Sequence, residues 1–351
     1  MTLRLAIIAG FLTVTCTVLC AAAAPLVRKS APKSSVPFMQ TPAPSGRVIV
    51  KFRDSAGVRV TAEGLAAADK SAAARVAGLI ASAAPGCRLD RRFRRTSADI
   101  DALRAEAEAR SGVDLPDLNT YGILEPAASD RASLLRVVET LLADPAVETA
   151  FLEPLYVPAI IGFDAFTGVY TPPDAGSSGG SHYAAPDAGE SQDFSTLQGY
   201  LGPPPEGVNA FAVGQTPGGR GENVRVVDIE LAWLWEHEDL TAPFYTNGEV
   251  LDDQAWRNHG TAVMGSIRGS DDGSGVRGVA PLCLVGGASI APRSVPEAIL
   301  EAAESMAIGD IILIELHAPG PDASGIGEYG YVPIEYWQDN FDAILIATAT
   351  G

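Results

Sequence analysis

Cysteine is scarce in this 351-residue chain. Cys16 and Cys20 fall in the first 24 residues, leaving only Cys87 and Cys283 beyond them. Two cysteines so far apart are no disulfide framework, and both are expected to behave as small buried hydrophobes. Basic charge is missing from the second half. Residues 156–351 carry 6 Lys/Arg against 27 Asp/Glu, a balance of −21, whereas residues 1–155 carry 19 against 16, or +3. That sign excludes nucleic acid as a partner, and the step marks a domain boundary. A membrane-length apolar run is also lacking. The longest, "LAIIAGFLTVTCTVL" (5–19), follows Arg4 and precedes the small residues "CAAAA". It is too short for a span and reads, over residues 1–24, as a secretory signal cleaved near Ala23 or Ala24. The expected location is therefore extracellular, with no membrane partner. A lipoprotein reading of Cys20 ranks second, because the bulky Leu19 precedes it.

The chain divides by texture. Residues 25–45 are Pro- and Ser-rich and read as a linker. Residues 46–157 alternate strands and helices. "RVIVKF" reads as a strand, "LAAADKSAAARVAGLIASAA" as a helix stopped by Gly86, and "CRLDRRFRR" as a strand. "DIDALRAEAEARSG" then reads as a helix and "NTYGILEP" as a strand. "SDRASLLRVVETLLADPAVE" reads as a helix capped by Ser129 or Asp130, with Leu134, Val137, Val138 and Leu141 on one face; "VETAFLEP" is the closing strand. The order predicts a small α+β sandwich of the split βαβ type with one extra helix. Residues 158–222 are a Gly/Pro/Ser-rich tether, with a short helix expected near Val208–Ala212.

From 223 to 351 the pattern is α/β. "NVRVVDIE", "LCLVGGAS" and "DIILIEL" read as buried strands, and "NHGTAVMGSIRG" and "SVPEAILEAAESMA" as helices. "IEYWQDNFDAILIATATG" reads as a helix running into a further strand. Continuous apolar strands between helices predict a parallel sheet covered on both faces, with any site at the carboxyl ends of its strands.

Asp228 stands at such an end, and His259 follows at an expected helix start, trailed by the small residues Gly260, Thr261, Ala262 and Gly265. A carboxylate that accepts a hydrogen bond from one imidazole nitrogen leaves the other free as a base. Taken singly, a strand-end Asp is more often a turn former, and a lone His beside small residues more often packs. The pair, in this order, points to catalysis.

These residues carry a resemblance to precursors of the subtilisin family of serine proteases. "VRVVDIE" resembles the catalytic-aspartate strand, "LWEHEDL" the segment after it, and "NHGTAVMGSIRGSDDGSGVRGVAP" the catalytic-histidine block. "DIILIEL" resembles the strand lining the substrate cleft, and residues 46–155 resemble the propeptide. The resemblance implies serine endopeptidase activity on polypeptide substrates, with Asp228 orienting and His259 acting as base and then acid. Within Ile314–Gly320, residues Ile314, Glu315, Leu316 and Gly320 would pair with an extended substrate. His317 is expected at the surface or in a cap. The propeptide would be folding template and intramolecular inhibitor, its end and "LEPLYVPA" lying in the cleft like product, with maturation somewhere within 158–200.

Three departures stand out. Ile229 and Glu230 replace the usual small residues after the aspartate, and Ala262 replaces a second histidine. No Gly-Thr-Ser occurs anywhere, so the nucleophile is missing. The chain as written is expected to be inactive, either part of a longer coding sequence or a degenerate form. The alternative is a non-catalytic secreted binding module derived from a protease. No cofactor is expected. Calcium is common in the family, but the acidic run "GSDDGSG" (269–275) matches no complete ligand pattern and reads as a solvated turn, so no metal site is located.

Overall fold

The computed structural model describes residues 44–127, 130–159, 163–164, 169–170, 192–323 and 328–350. The expected signal, nearly all of the linker and much of the tether lie outside these residues, as does His182.

In the N-terminal part, β1 (Pro44–Phe52) is followed by a hairpin of β2 (Val58–Thr61) and β3 (Gly64–Ala67), then α1 (Lys70–Ala83) and β4 (Arg88–Arg91). Next come α2 (Ser97–Ser111), β5 (Tyr121–Glu125), α3 (Arg131–Ala143) and β6 (Val147–Pro154). Strands β4-β5-β1-β6 form one antiparallel sheet. Two expectations are corrected here. The helix expected from Leu65 starts at Lys70, because Asp69 caps it by accepting from Ser71 N and the residues before pair as β3. The linker ends earlier, since Pro44 already belongs to β1. Asp130, rather than Ser129, caps α3, accepting from Ser133 N at 3.0 Å.

The expected stripe of Leu134, Val137, Val138 and Leu141 is buried. With Val76 and Ile80 of α1 it packs on Val48, Val50, Leu124, Ala150 and Leu152 of the sheet. The opposite face of that sheet, through Ile49, Tyr121 and Phe151, enters a second core shared with the C-terminal part.

After β6 come β7 (Val157–Pro158), the two-residue pair β8 (Phe163–Asp164) and β9 (Val169–Tyr170), and the short α4 (Ala210–Val213), close to the helix expected there. The C-terminal part contains β10 (Arg225–Glu230), β11 (Tyr245–Asn247), α5 (Gln254–Arg268), β12 (Leu284–Ser289), α6 (Val295–Glu304) and β13 (Ile311–Ile314). It closes with β14 (Leu316–Pro319), β15 (Tyr331–Pro333) and α7 (Gln338–Thr350). Strands β11-β12-β10-β13 are parallel. Val226 and Val285 pack with Met264 of α5, while Val227, Ile229 and Ala288 pack with Ile299 and Leu300 of α6, so helices cover both faces. The chain is thus mixed α/β, as expected, with one parallel sheet beside antiparallel ones.

The strand expected at the end of "DAILIATATG" is not formed. Ala343, Ile346 and Ala347 are buried at helical spacing, and the hydroxyls of Thr348 and Thr350 donate to carbonyls one turn back, so α7 runs through to Thr350. The edge of the parallel sheet is β13, where Ile311 is exposed. "DIILIEL" is also not one strand, since it divides at Glu315 into β13 and β14. Cys87 is half-buried, Cys283 is buried, and both are free thiols. Among the described residues no helix is long and apolar enough to cross a membrane.

Candidate active site

Strand β10 presents alternate residues to opposite faces. Val227 and Ile229 point to the core of α6, so Val226, Asp228 and Glu230 face α5. Asp253 caps α5 by accepting from Trp256 N at 3.0 Å. His259 therefore lies in the second turn, not at the start expected from the sequence, and is buried with Trp256, Gly260 and Met264. Gly260 lets the helix approach. A Cβ there would lie 2.3 Å from Ala232 O and 2.8 Å from the Trp233 ring. The reading of small residues as contact points holds at this position.

The partner of His259 differs from expectation. Its Nδ1 meets Glu230 Oε1 in a short contact. Asp228 is fully buried, but its Oδ2 accepts from Trp233 Nε1 at 2.9 Å. Oδ1 of Asp228 and Oε2 of Glu230 have no hydrogen-bond partner among the described residues. Asp228 and His259 are thus brought into one pocket, with Glu230 between them in role. Sequence reasoning missed Glu230 and Trp233. The signal for Glu230 was available, because a residue two positions after Asp228 shares its face of the strand.

Burial dominates the electrostatics. It holds Asp228 well above the usual carboxylate range, and neighbouring Glu230 adds to the shift. Burial, then repulsion from Glu315, pushes Glu230 up to about 9. Burial lowers His259, against the pull of Glu315 and Asp228. The imidazole is therefore neutral near pH 7, as a base must be.

In front of His259, β7 pairs antiparallel with β14, Pro158 opposite Leu316 and Val157 opposite His317. Ala159 N donates to Glu315 O at 2.9 Å, and the Ala159 backbone lies beside the His259 ring. Glu315 and Leu316 thus contact the extended segment Val157–Ala159 of the same chain. Ile314 and Gly320 do not. Ile314 pairs with Ile229 inside the parallel sheet, and Gly320 N donates to Gly330 O at 3.0 Å, where the Val332 side chain leaves no room for a Cβ. His317 is neither surface nor cap. It is largely buried in β14, its ring edge-on to Tyr331 at 4.9 Å.

Within the "GSDDGSG" run Asp271, Asp272 and Gly273 are exposed, in line with a solvated turn. Asp271 pairs with Arg220 at 2.6 Å, and Asp239 of "HEDL" accepts from Val276 N. Among the described residues no group of three or more His, Cys, Asp or Glu could hold a metal ion. No protein-family model and no curated protein matches this chain.

Proposed function

We propose that this chain carries the signal, the inhibitory propeptide and the base-bearing part of a secreted, subtilisin-like serine endopeptidase. The observation that carries this reading is the path of Val157–Ala159, laid along β14 as an extra strand and bringing a backbone group to His259. Strand addition of this kind is how a peptide is held without regard to side chains. In the reaction, His259 takes the proton of a serine hydroxyl as the oxygen attacks the peptide carbonyl, then gives it to the leaving amine. Water hydrolyses the acyl-enzyme by the same exchange. The serine is not in residues 1–351 in its expected Gly-Thr-Ser setting, so in this reading it belongs to further coding sequence.

The experiment is to read and express the coding region beyond residue 351. It is expected to contain an apolar strand leading to an oxyanion Asn, then a Gly-Thr-Ser block. The longer product should cleave casein and label with a fluorophosphonate, and His259→Ala should abolish the cleavage. The 351-residue chain should do neither. A downstream region lacking both elements contradicts the proposal and favours the binding module, for which the absent nucleophile is the supporting observation.

A further inference from the structure

The sequence alone draws attention to Asp228, but four observations favour its neighbour. First, the ring nitrogen of His259 that needs an acceptor, Nδ1, is in contact with Glu230. Second, Asp228 already accepts from Trp233, and its other oxygen touches no donor among the described residues. Third, β10 does not turn away after Asp228. Ile229 pairs with Ala288 and with Ile314, and Glu230 pairs with Ser289, so the strand carries a second carboxylate one pleat further on the same face. Fourth, the register cannot slip, because a shift by one residue would drive Asp228 and Glu230 into the apolar core of α6.

From this we infer that Glu230, not Asp228, is the positioning carboxylate of His259, and that Asp228 instead sets the spacing of α5 through Trp233. The Trp233 ring lies where a Cβ on Gly260 would go, so the indole held by Asp228 fixes how closely the helix carrying His259 approaches the sheet. Glu230, one methylene longer, then reaches the imidazole. With the proton on Nδ1 the ring donates to Glu230 and leaves Nε2 unprotonated; with it on Nε2 the Glu230 carboxyl, held toward its protonated form by burial, donates to Nδ1. The catalytic meaning of this assignment rests on the reading above, whereas the contact itself does not. Glu315 at the β13–β14 junction, His317 of β14 and Glu328 are the other titratable groups that act on these residues.

The test uses the full 351-residue chain, 15N-labelled, and proton NMR of its histidine rings. A strongly downfield ring proton is expected that disappears in His259→Ala. In the unmodified chain it should show through-space cross-peaks to the Glu230 side chain. It should also be lost in Glu230→Gln and kept in Asp228→Asn. Cross-peaks to Asp228 instead, loss in Asp228→Asn with retention in Glu230→Gln, or no such proton at any pH from about 5 to about 10 would each overturn the assignment. The cross-peak measurement needs no substitution, so a variant that fails to fold leaves it decisive. No proteolysis is read, so failure here leaves the peptidase proposal standing, and failure of that proposal leaves this contact measurable.

Discussion

Two sets of carboxylates, one where the N-terminal unit docks and one around His259, are treated in different ways. Where the N-terminal unit docks, each acid meets a cation. Lys51, fully buried, donates to Glu148 at 3.0 Å and to Asp342 at 2.8 Å, while Tyr121 OH donates to the same Asp342 oxygen at 2.7 Å. Arg92 bridges Asp339 and Glu153. At the rim Arg95 pairs with Glu304, and Arg94 N donates to Glu297. Among the described residues the acids around His259, Asp228, Glu230 and Glu315, pair with no Lys or Arg, and one oxygen each of Asp228 and Glu230 is unpartnered. The docking acids are paired with fixed cations and join two parts of the chain. Burial holds Asp228 and Glu230 toward the protonated form, an arrangement that costs stability and suits proton transfer. The charge step seen in the sequence thus becomes a docking interface.

Breaking this comparison at its root means removing the N-terminal unit. Residues 223–351 alone would expose the shared core and leave Asp339 and Asp342 without Arg92 and Lys51. They are expected to melt without a cooperative transition and to bind a hydrophobic dye. A sharp transition from a monodisperse monomer would show instead that the docking interface is dispensable.

A single cation should come next in size. Arg92→Met leaves Asp339 buried without its cation and Glu153 with Arg47 alone, and about 3–5 kcal/mol of stability should be lost in urea unfolding. Adding Asp339→Asn should recover part of that loss. If Arg92→Met costs no more than a surface change, the interface acids are not held as described.

The site acids should give the opposite response to pH. The folded value of Glu230 is about 9 against an ordinary 4.5, so between these values the folded chain binds a proton that the unfolded chain has released. Stability should therefore fall as pH rises from about 4.5 to about 9 and level off above. Asp228, also raised, contributes with the same sign. Glu230→Gln should flatten the decline in part. Glu153, whose value is lowered chiefly by Arg92 and Arg47 against its burial, acts the other way, its contribution lost only as pH falls through the acid range. A decline of unchanged slope in Glu230→Gln, followed by chemical unfolding at several pH values, would contradict the buried-acid account of the site.

The smallest effect belongs to the rim. Arg95→Ala breaks a pair whose acid, Glu304, is half exposed, and about 1 kcal/mol or less is expected, shrinking with added salt. A loss as large as that of Arg92→Met would mean that the whole interface, not its buried centre, carries the docking.

Much of the fold was legible because period and caps agree with burial. The stripe Leu134-Val137-Val138-Leu141, the stop at Gly112 with its left-handed backbone (φ 70°), and the strand "VRVVDIE" all read correctly. The errors came where local pattern was ambiguous. "AILIATATG" is β-branched enough to suggest a strand, yet its threonines bond back along a helix. Short strands such as β11 and β15 hold only three residues each and gave no periodic signal. At the site, Asp228 and His259 were legible from their setting. Glu230 is less legible, because the resemblance places the orienting role on Asp228 and marks Glu230 only as a departure, whereas β10 carries both carboxylates on one face. The role of Trp233 depends on a hydrogen bond and a missing Cβ, which spacing alone does not reveal.

The central claim of the proposal is that Val157–Ala159 takes the place of a substrate strand before His259, and on that proposal the bond to be cut lies directly after Ala159. The most direct measurement is the N-terminal residue of the matured product, read by mass spectrometry from the longer coding region expressed with and without His259→Ala. The account predicts a new N-terminus at Ile160 that is absent in the variant. A new N-terminus elsewhere in the segment before β10, or the same processing without His259, would contradict it.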